Sequence, residues 1–252
     1  MTAMVDVAGL SVAWPGRPPV LDGLDFTLAP GERVGLIGPN GAGKSSLFLT
    51  LAGVLPAAAG AVRVVGEAVR PGMFNPAVGL VFQHAEDQLF CPTLAEDVAY
   101  GPRNLGLSEA EVEGRVAEAL AVCGLDALAE RPVHRLSGGE KRRACIAGVL
   151  AMRPRLMLLD EPSAALDLRS RRALIRLLAG MDQTLFVSSH DLDLVLDLCT
   201  RVILVDAGRI RADGPTGDVL GDAALMAAHG QETPAALARR SPPRRAGGAG
   251  AP

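Results

Sequence analysis

The stretch Gly38-Pro39-Asn40-Gly41-Ala42-Gly43-Lys44-Ser45 decides how this chain is read. The apolar run Val34, Leu36, Ile37 precedes it and Leu47, Phe48, Leu49, Leu51 follow, so the order is strand, loop, helix. A glycine, four residues and then Gly-Lys-Ser is the Walker A pattern, in which backbone N–H groups and a helix N-terminus surround phosphates. Lys44 supplies a point charge for the β- and γ-phosphates, and the Ser45 hydroxyl is a ligand for Mg²⁺. A chain with 29 glycines can match by chance, but the flanking strand and helix are what the motif requires.

Length and composition set the limits. At 252 residues, 49% of them hydrophobic, the chain suits one large α/β domain with an ample core. A net charge of −3 speaks against a nucleic-acid surface as the main business, since phosphate backbones select a clustered basic face. Cys91, Cys123, Cys145 and Cys199 are far apart, with no paired spacing, and read as small apolar residues in a reducing compartment. The start lacks the basic region of a signal peptide, so the protein is expected to stay where it is made. Ser45 to Val62 is uncharged, yet Gly53, Pro56 and Gly60 interrupt it, so membrane association is expected only through a partner.

Val5–Val12 and Leu24–Leu28 alternate as strands, with turns at Pro15-Gly16 and Pro30-Gly31. Trp14, the only tryptophan, either stacks on a nucleobase or fills the core; taken alone, core is the better reading. Ala61–Val65 and Val78–Phe82 are further strands, the second delivering Gln83 to its end. The loop His84 to Phe90 is polar and closes on two exposed-looking apolar residues, and Pro92 and Pro102 are expected to keep the next segment irregular. Ser108 and Glu111 form a capping box for a helix running through Val112, Val116, Leu120 and Cys123 to Gly124.

Leu136-Ser137-Gly138-Gly139-Glu140 opens another helix, which Pro154 stops. Ser137 is its N-cap, and the glycines leave backbone donors bare for an anion, unless this is an ordinary capped helix. Leu156 to Leu159 is a buried strand ending in Asp160-Glu161, the Walker B pattern: the aspartate organises Mg²⁺ and the glutamate deprotonates the attacking water. Leu185–Ser188 is a last short strand, presenting Ser189 and His190 where ligand-facing ends of an open α/β sheet converge.

The ordered set Trp14, the Walker A loop, Gln83, Leu136 to Glu140, Asp160-Glu161, Ser163-Ala164-Ala165-Leu166-Asp167 and His190 resembles the nucleotide-binding subunit of ATP-binding-cassette (ABC) transporters, from about Val5 to Gly230. The resemblance implies a P-loop α/β fold with a mixed sheet core, an antiparallel β subdomain and a helical subdomain at roughly 85–153. It implies ATP and Mg²⁺ as cofactors. Trp14 would stack on adenine, and the loop from Gly38 through Ser46 would hold the phosphates. Ser45, Gln83 and Asp160 would bind the metal, with Gln83 linking it and the water to a transmembrane partner. Glu161 would be the base and His190 would contact the γ-phosphate. Ser137, Gly138 and Gly139 would cap ATP held by a second subunit, with Asp167 closing the seam, so a homodimer is expected.

Val81 to Phe90, Glu96 to Pro102 and Ser137 to Arg143 resemble the energy-coupling factor group, particularly its cobalt and nickel importers. That implies a transmembrane coupling subunit and a substrate-binding membrane component as partners, and a peripheral position at the cytoplasmic membrane face. Vitamin importers share the pattern. Ala164-Ala165 departs from the family's frequent Ala-Gly without removing a chemical group. A translation factor of this class would carry two cassettes, a chromosome-structuring ATPase a long coiled coil, and a P-loop kinase no signature loop. None of the four histidines forms a spaced metal cluster. The ATP-binding domain is thus expected over 1–230. Gln231 to Pro252, with Arg239, Arg240, Arg244 and Arg245 among Ala, Gly and Pro, is expected to be a solvated tail rather than a lipid tether.

Overall fold

The computed structural model describes residues 2–238. Two sheets carry the fold. Strands β1 (Val5–Ala13), β2 (Pro19–Leu28), β4 (Ala57–Val64) and β5 (Glu67–Ala68) form an antiparallel sheet in the order β2-β1-β4-β5. A six-stranded sheet runs β10-β9-β3-β8-β7-β6, using β3 (Arg33–Ile37), β6 (Val78–Val81), β7 (Leu156–Asp160), β8 (Thr184–Ser188), β9 (Arg201–Asp206) and β10 (Arg209–Pro215). All its pairings are parallel except the edge pair β9–β10. The antiparallel subdomain and mixed core are therefore those the sequence implied.

The unbroken apolar character of β7 and β8 follows from burial on both faces. Alternate residues feed different cores. Leu156, Leu158 and Phe186 pack toward the antiparallel sheet and helix α1 (Lys44–Leu51), whereas Met157, Leu159, Leu185 and Val187 pack toward the helices on the other face. Phe186 stacks obliquely on Phe48 and Phe26, with centroids 5.1 and 5.8 Å apart. This fixes α1, and with it the loop ahead of it, against the sheet.

Helices α2 (Leu94–Asn104), α3 (Glu109–Cys123) and α4 (Gly138–Leu150) form the helical insert. The Ser108–Glu111 capping box and the left-handed Gly124 cap are both present on α3. The segment after Pro92, by contrast, is a helix and not irregular chain. Thr93 and Glu96 close a reciprocal capping box, and Leu94, Val98 and Ala99 are buried, while Pro102 sits within the last turn of α2. The loop before it also differs from expectation. Ala85–Asp87 is a 3₁₀ turn, and Leu89 is half-buried against the helical core, leaving only Phe90 of the pair exposed.

Helices α5 (Leu168–Ala179) and α6 (Leu192–Leu198) lie between the later strands, followed by α7 (Thr216–Gly221), α8 (Ala223–Ala228) and α9 (Ala235–Ala238). Past Gln231, Pro234 is buried and Leu237 packs on the helical core. The basic stretch with Arg239, Arg240, Arg244 and Arg245 lies outside the described residues. Cys123, Cys145 and Cys199 are buried and Cys91 is half-buried. Among the described residues no helix is long and apolar enough to cross a membrane.

Candidate active site

The C-terminal ends of β3, β6, β7 and β8 are neighbours in the sheet, so the loops after them meet in one place. A cleft of about 870 Å³ opens there, bordered by Trp14, Asn40 to Ser46, Gln83, Asp160, Glu161 and His190. Residues separated by 176 positions in sequence thus share one surface.

The glycine loop is shaped by close approach. Gly38 has φ 147°, and a Cβ there would fall 1.9 Å from the Val205 carbonyl oxygen, so no other residue fits. Gly43, at φ 100°, caps α1 without any side-chain cap, leaving the helix's first N–H groups facing the cleft. Lys44 folds back over the loop, its Nζ donating to the Gly38 and Pro39 carbonyls at 2.8 and 3.1 Å. Burial pushes its ammonium pKa down, while Glu161 and Asp160 pull it up. Ser45 keeps an exposed position beside it.

Across the cleft, Asp160 is buried and receives a hydrogen bond from the Ser188 hydroxyl at 2.8 Å. Glu161 leaves the strand with a left-handed φ of 46°, a conformation that costs on the order of 1–3 kcal/mol and clusters at functional sites. Its Oε2 accepts the backbone N–H of His190 at 3.1 Å. Oε1 is buried without a hydrogen-bond partner. Burial raises the Glu161 pKa, partly offset by the His190 N–H and by Lys44.

His190 Nε2 stands 3.4 Å from Lys44 Nζ and 3.3 Å from Glu161 Oε1. Nε2 of His190 thus sits between the Lys44 ammonium and the Glu161 carboxylate, in reach of both.

Trp14 settles against the core reading: it is 43% exposed, borders the cleft, and donates from Nε1 to the Ser46 hydroxyl at 3.1 Å. Arg17, Ala207 and Gly208 also border the cleft and escaped the sequence reading. Arg17 carries a readable signal, since it closes the turn at Pro15-Gly16 with its N–H on the Trp14 carbonyl. Ala207 and Gly208 carry none, being brought in only by the β9–β10 hairpin.

A family model for ABC transporters matches residues 21–164. This chain belongs to the ABC transporter family. It is 46% identical over 242 residues to the cobalt import ATP-binding protein CbiO of Rhodobacter capsulatus, covering 93% of this chain and 86% of that one. It is 45% identical over 231 residues to the energy-coupling factor transporter ATP-binding protein EcfA of Methanothermobacter thermautotrophicus, covering 88% and 74%. The solved structure of cbiO1 from Clostridium perfringens, part of the ABC transporter complex cbiONQ, superposes with a TM-score of 0.79 at 30% identity, covering 90% of this chain and 94% of that one. The chain is accordingly an ABC-type ATPase.

In this ABC ATPase the remaining motif residues lie away from the cleft. Ser137, Gly138, Gly139 and Asp167 do not border it. Ser137 caps α4 as expected, but Glu140 reaches back to the Ser137 N–H at 2.7 Å, completing a capping box the sequence reading missed. Ser137 and Gly138 are exposed. Gly139 is there for space, since a Cβ would meet the Ser170 hydroxyl of α5 at 2.6 Å. Asp167 caps α5 by accepting the Ser170 N–H at 2.7 Å.

Proposed function

We propose that this ATPase hydrolyses Mg·ATP to power import of Co²⁺ or Ni²⁺ through an energy-coupling factor type transporter. The observation that carries the chemistry is the unpartnered, buried Oε1 of Glu161 beside the phosphate loop. A carboxylate held by one oxygen, with its second oxygen free and its pKa raised, is a competent acceptor for the proton of an attacking water. Lys44 and the N–H groups at the start of α1 offset the charge of the phosphates. His190, 3.4 Å from the Lys44 ammonium and with its ring at the cleft, orients the far side of the phosphate chain. Trp14 offers its exposed face to the base.

The donor set fits Mg²⁺. Ser45, Gln83 and Asp160 border the same cleft with oxygen ligands only and a single carboxylate, leaving positions for water and phosphate oxygens. When bound there, the ion neutralises charge on the β- and γ-phosphates. The described residues hold no group of three His, Cys, Asp or Glu suited to a transition metal.

Two surfaces support the assembly. The exposed signature residues, away from the cleft, suit a head-to-tail homodimer in which each copy covers the other's ATP, over a domain of residues 1–230. An apolar groove of about 460 Å³ between β6, α2 and α4, lined by Phe74, Phe82, Phe90, Tyr100 and Met152, suits a helix of the membrane coupling subunit. That docking would hold the chain peripherally at the cytoplasmic face of the membrane. The cobalt reading rests on the name of the Rhodobacter capsulatus relative, and the vitamin alternative on the motif pattern that vitamin importers share. Purification of the chain with its membrane complex, followed by ATP-driven uptake of radiolabelled Co²⁺ into vesicles, tests both. Uptake of a vitamin instead would replace the cargo, and purification with ribosomes or nucleic acid would overturn the transport reading.

A further inference from the structure

Arg142 lies in α4 and is 4% exposed, yet among the described residues no carboxylate pairs with it. Burying an unpaired guanidinium is costly, so its hydrogen bonds must justify it. They go to one place. Nη1 donates to the Phe82 carbonyl at 2.6 Å and Nη2 to the Gln83 carbonyl at 2.5 Å. The planar fork therefore grips two successive peptides where β6 has just ended.

A second side chain completes the clamp. Gln88 accepts the Phe82 N–H through Oε1 at 3.2 Å and donates from Nε2 to the Cys145 carbonyl of α4, also at 3.2 Å. Both polar groups of the Phe82 peptide unit and the carbonyl of Gln83 are thus tied to one helix. The Gln83 side chain itself has no hydrogen bond among the described residues and borders the cleft. A long exposed side chain has a defined direction only if its backbone does.

We propose that Arg142 is the positioning residue that fixes Gln83 for its part in holding the metal, acting through the backbone and touching no reactant. The idea rests on the metal role given to Gln83 above. Because α4 also begins at Ser137, the same helix sets the position of Gln83 and of the signature loop. Lysine cannot replace arginine here, since a single ammonium does not reproduce a two-pronged grip.

The test uses the full chain in a Glu161→Gln background, which removes turnover, and reads ATP affinity from Trp14 fluorescence with EDTA and with excess Mg²⁺. Arg142→Lys is expected to cut the Mg²⁺-dependent gain in affinity by about fivefold while leaving affinity in EDTA within about twofold. Gln83→Ala should do the same, and the double variant should lose no more than either single one. In the nucleotide-free chain, amide exchange across 82–88 should quicken in Arg142→Lys while β7 and β8 stay protected. Equal weakening with EDTA and with Mg²⁺, or full additivity with Gln83→Ala, would overturn the proposal alone. An unchanged Mg²⁺ gain in Gln83→Ala would overturn it together with the metal role of Gln83. If Arg142→Lys does not fold, Gln88→Ala opens the other half of the clamp without burying an unpaired charge, and is held to the same outcomes.

Discussion

The backbone N–H of His190 holds one carboxylate oxygen of Glu161 at 3.1 Å, and the other oxygen is buried, makes no hydrogen bond among the described residues and lies 3.3 Å from the His190 ring Nε2. The two residues come from the ends of adjacent strands, β7 and β8. Gln at position 161 would keep the accepted hydrogen bond through its amide oxygen but could not take a proton. Glu161→Gln is therefore expected to bind ATP normally and to lose hydrolysis by on the order of 10²-fold or more. Lys44→Ala should instead weaken nucleotide binding, because its ammonium spans the loop carbonyls and the phosphate position. Single-turnover hydrolysis and ATP titration on each variant separate the two effects, and wild-type turnover in Glu161→Gln would refute the base assignment.

The Ala165 conformation gives a stability prediction. Ala165 is exposed and sits at φ 60°, where the sequence departs from the family's frequent glycine. A left-handed alanine costs roughly 1–2 kcal/mol, more than the roughly 0.4–1 kcal/mol of extra chain entropy that glycine brings to the unfolded state. Ala165→Gly should raise the urea midpoint by an amount equivalent to up to about 1.6 kcal/mol at an unchanged m-value. A lowered midpoint would mean that the Ala165 methyl makes a contact outweighing the strain.

That position also shows what the sequence could and could not disclose. The strands, the glycine loop and the Walker B carboxylates are legible because each is a local pattern: an apolar run, a spacing, a terminus. The reading missed α2 because Pro92 and Pro102 outweighed the Thr93–Glu96 capping-box spacing, a local signal as legible as Ser108–Glu111, while the burial of Leu94 and Val98 is decided by neighbouring helices. Taken alone Trp14 read as core, since its half-exposed position depends on Ser46, 32 residues away, whereas the resemblance set it at the nucleotide. The clamp of Arg142 on Phe82 and Gln83 spans about sixty residues and uses backbone acceptors, which no residue pattern marks.

A charge pair behind the site carries a pH dependence. Burial pushes the Asp191 carboxyl upward, but the Arg171 guanidinium, the Leu194 N–H and the Ser163 hydroxyl outweigh it and hold it below the usual carboxylate range. A group with a depressed folded-state pKa contributes stability above its unfolded pKa of about 4, and that contribution fades as pH falls through the folded value. Asparagine caps a helix as well as aspartate does, so Asp191→Asn keeps the α6 cap and removes the charge. It should cost about 1 kcal/mol at pH 7, with the gap to the wild type closing below about pH 4. Urea midpoints across that range check it, and a gap that stays constant would assign the loss to packing.

The groove prediction follows from Phe90 and Tyr100, whose rings meet edge to face at 4.8 Å while remaining 63% and 50% exposed. An aromatic pair held rigid but left in water is an anchor awaiting a partner. Phe90→Ser with Tyr100→Ser should abolish purification with the membrane subunit and leave basal ATPase within about twofold, since neither residue borders the nucleotide cleft. Leu89 is a poorer target because it is half-buried against the helical core, where serine would cost stability. A complex that survives the double variant would place the docking surface elsewhere.

The last prediction concerns the second copy. The cleft holds Lys44 on one wall and Asp160 and Glu161 on the other, and transition-state charge there needs further donors. Within one chain, Ser137 and Gly138 do not border that cleft, although they are exposed at the start of α4. In the proposed head-to-tail pair the Ser137 end of each copy would lie over the other's cleft and exclude water from both. Cysteines introduced at Ser45 and Gly138, in a Glu161→Gln chain whose four native cysteines are replaced by alanine or serine, should crosslink between chains when ATP is present. Gly138 is preferred to Gly139 because a side chain at Gly139 collides with Ser170, whereas nothing obstructs one at Gly138. Chains carrying one cysteine each, mixed in equal amounts, distinguish the two geometries: linkage between the Ser45 chain and the Gly138 chain, dependent on ATP, is the expected result. Linkage confined to a single chain carrying both cysteines, or none at saturating ATP, would refute the shared-site arrangement and leave the transition-state charge to be met by residues of this chain or of the membrane subunit.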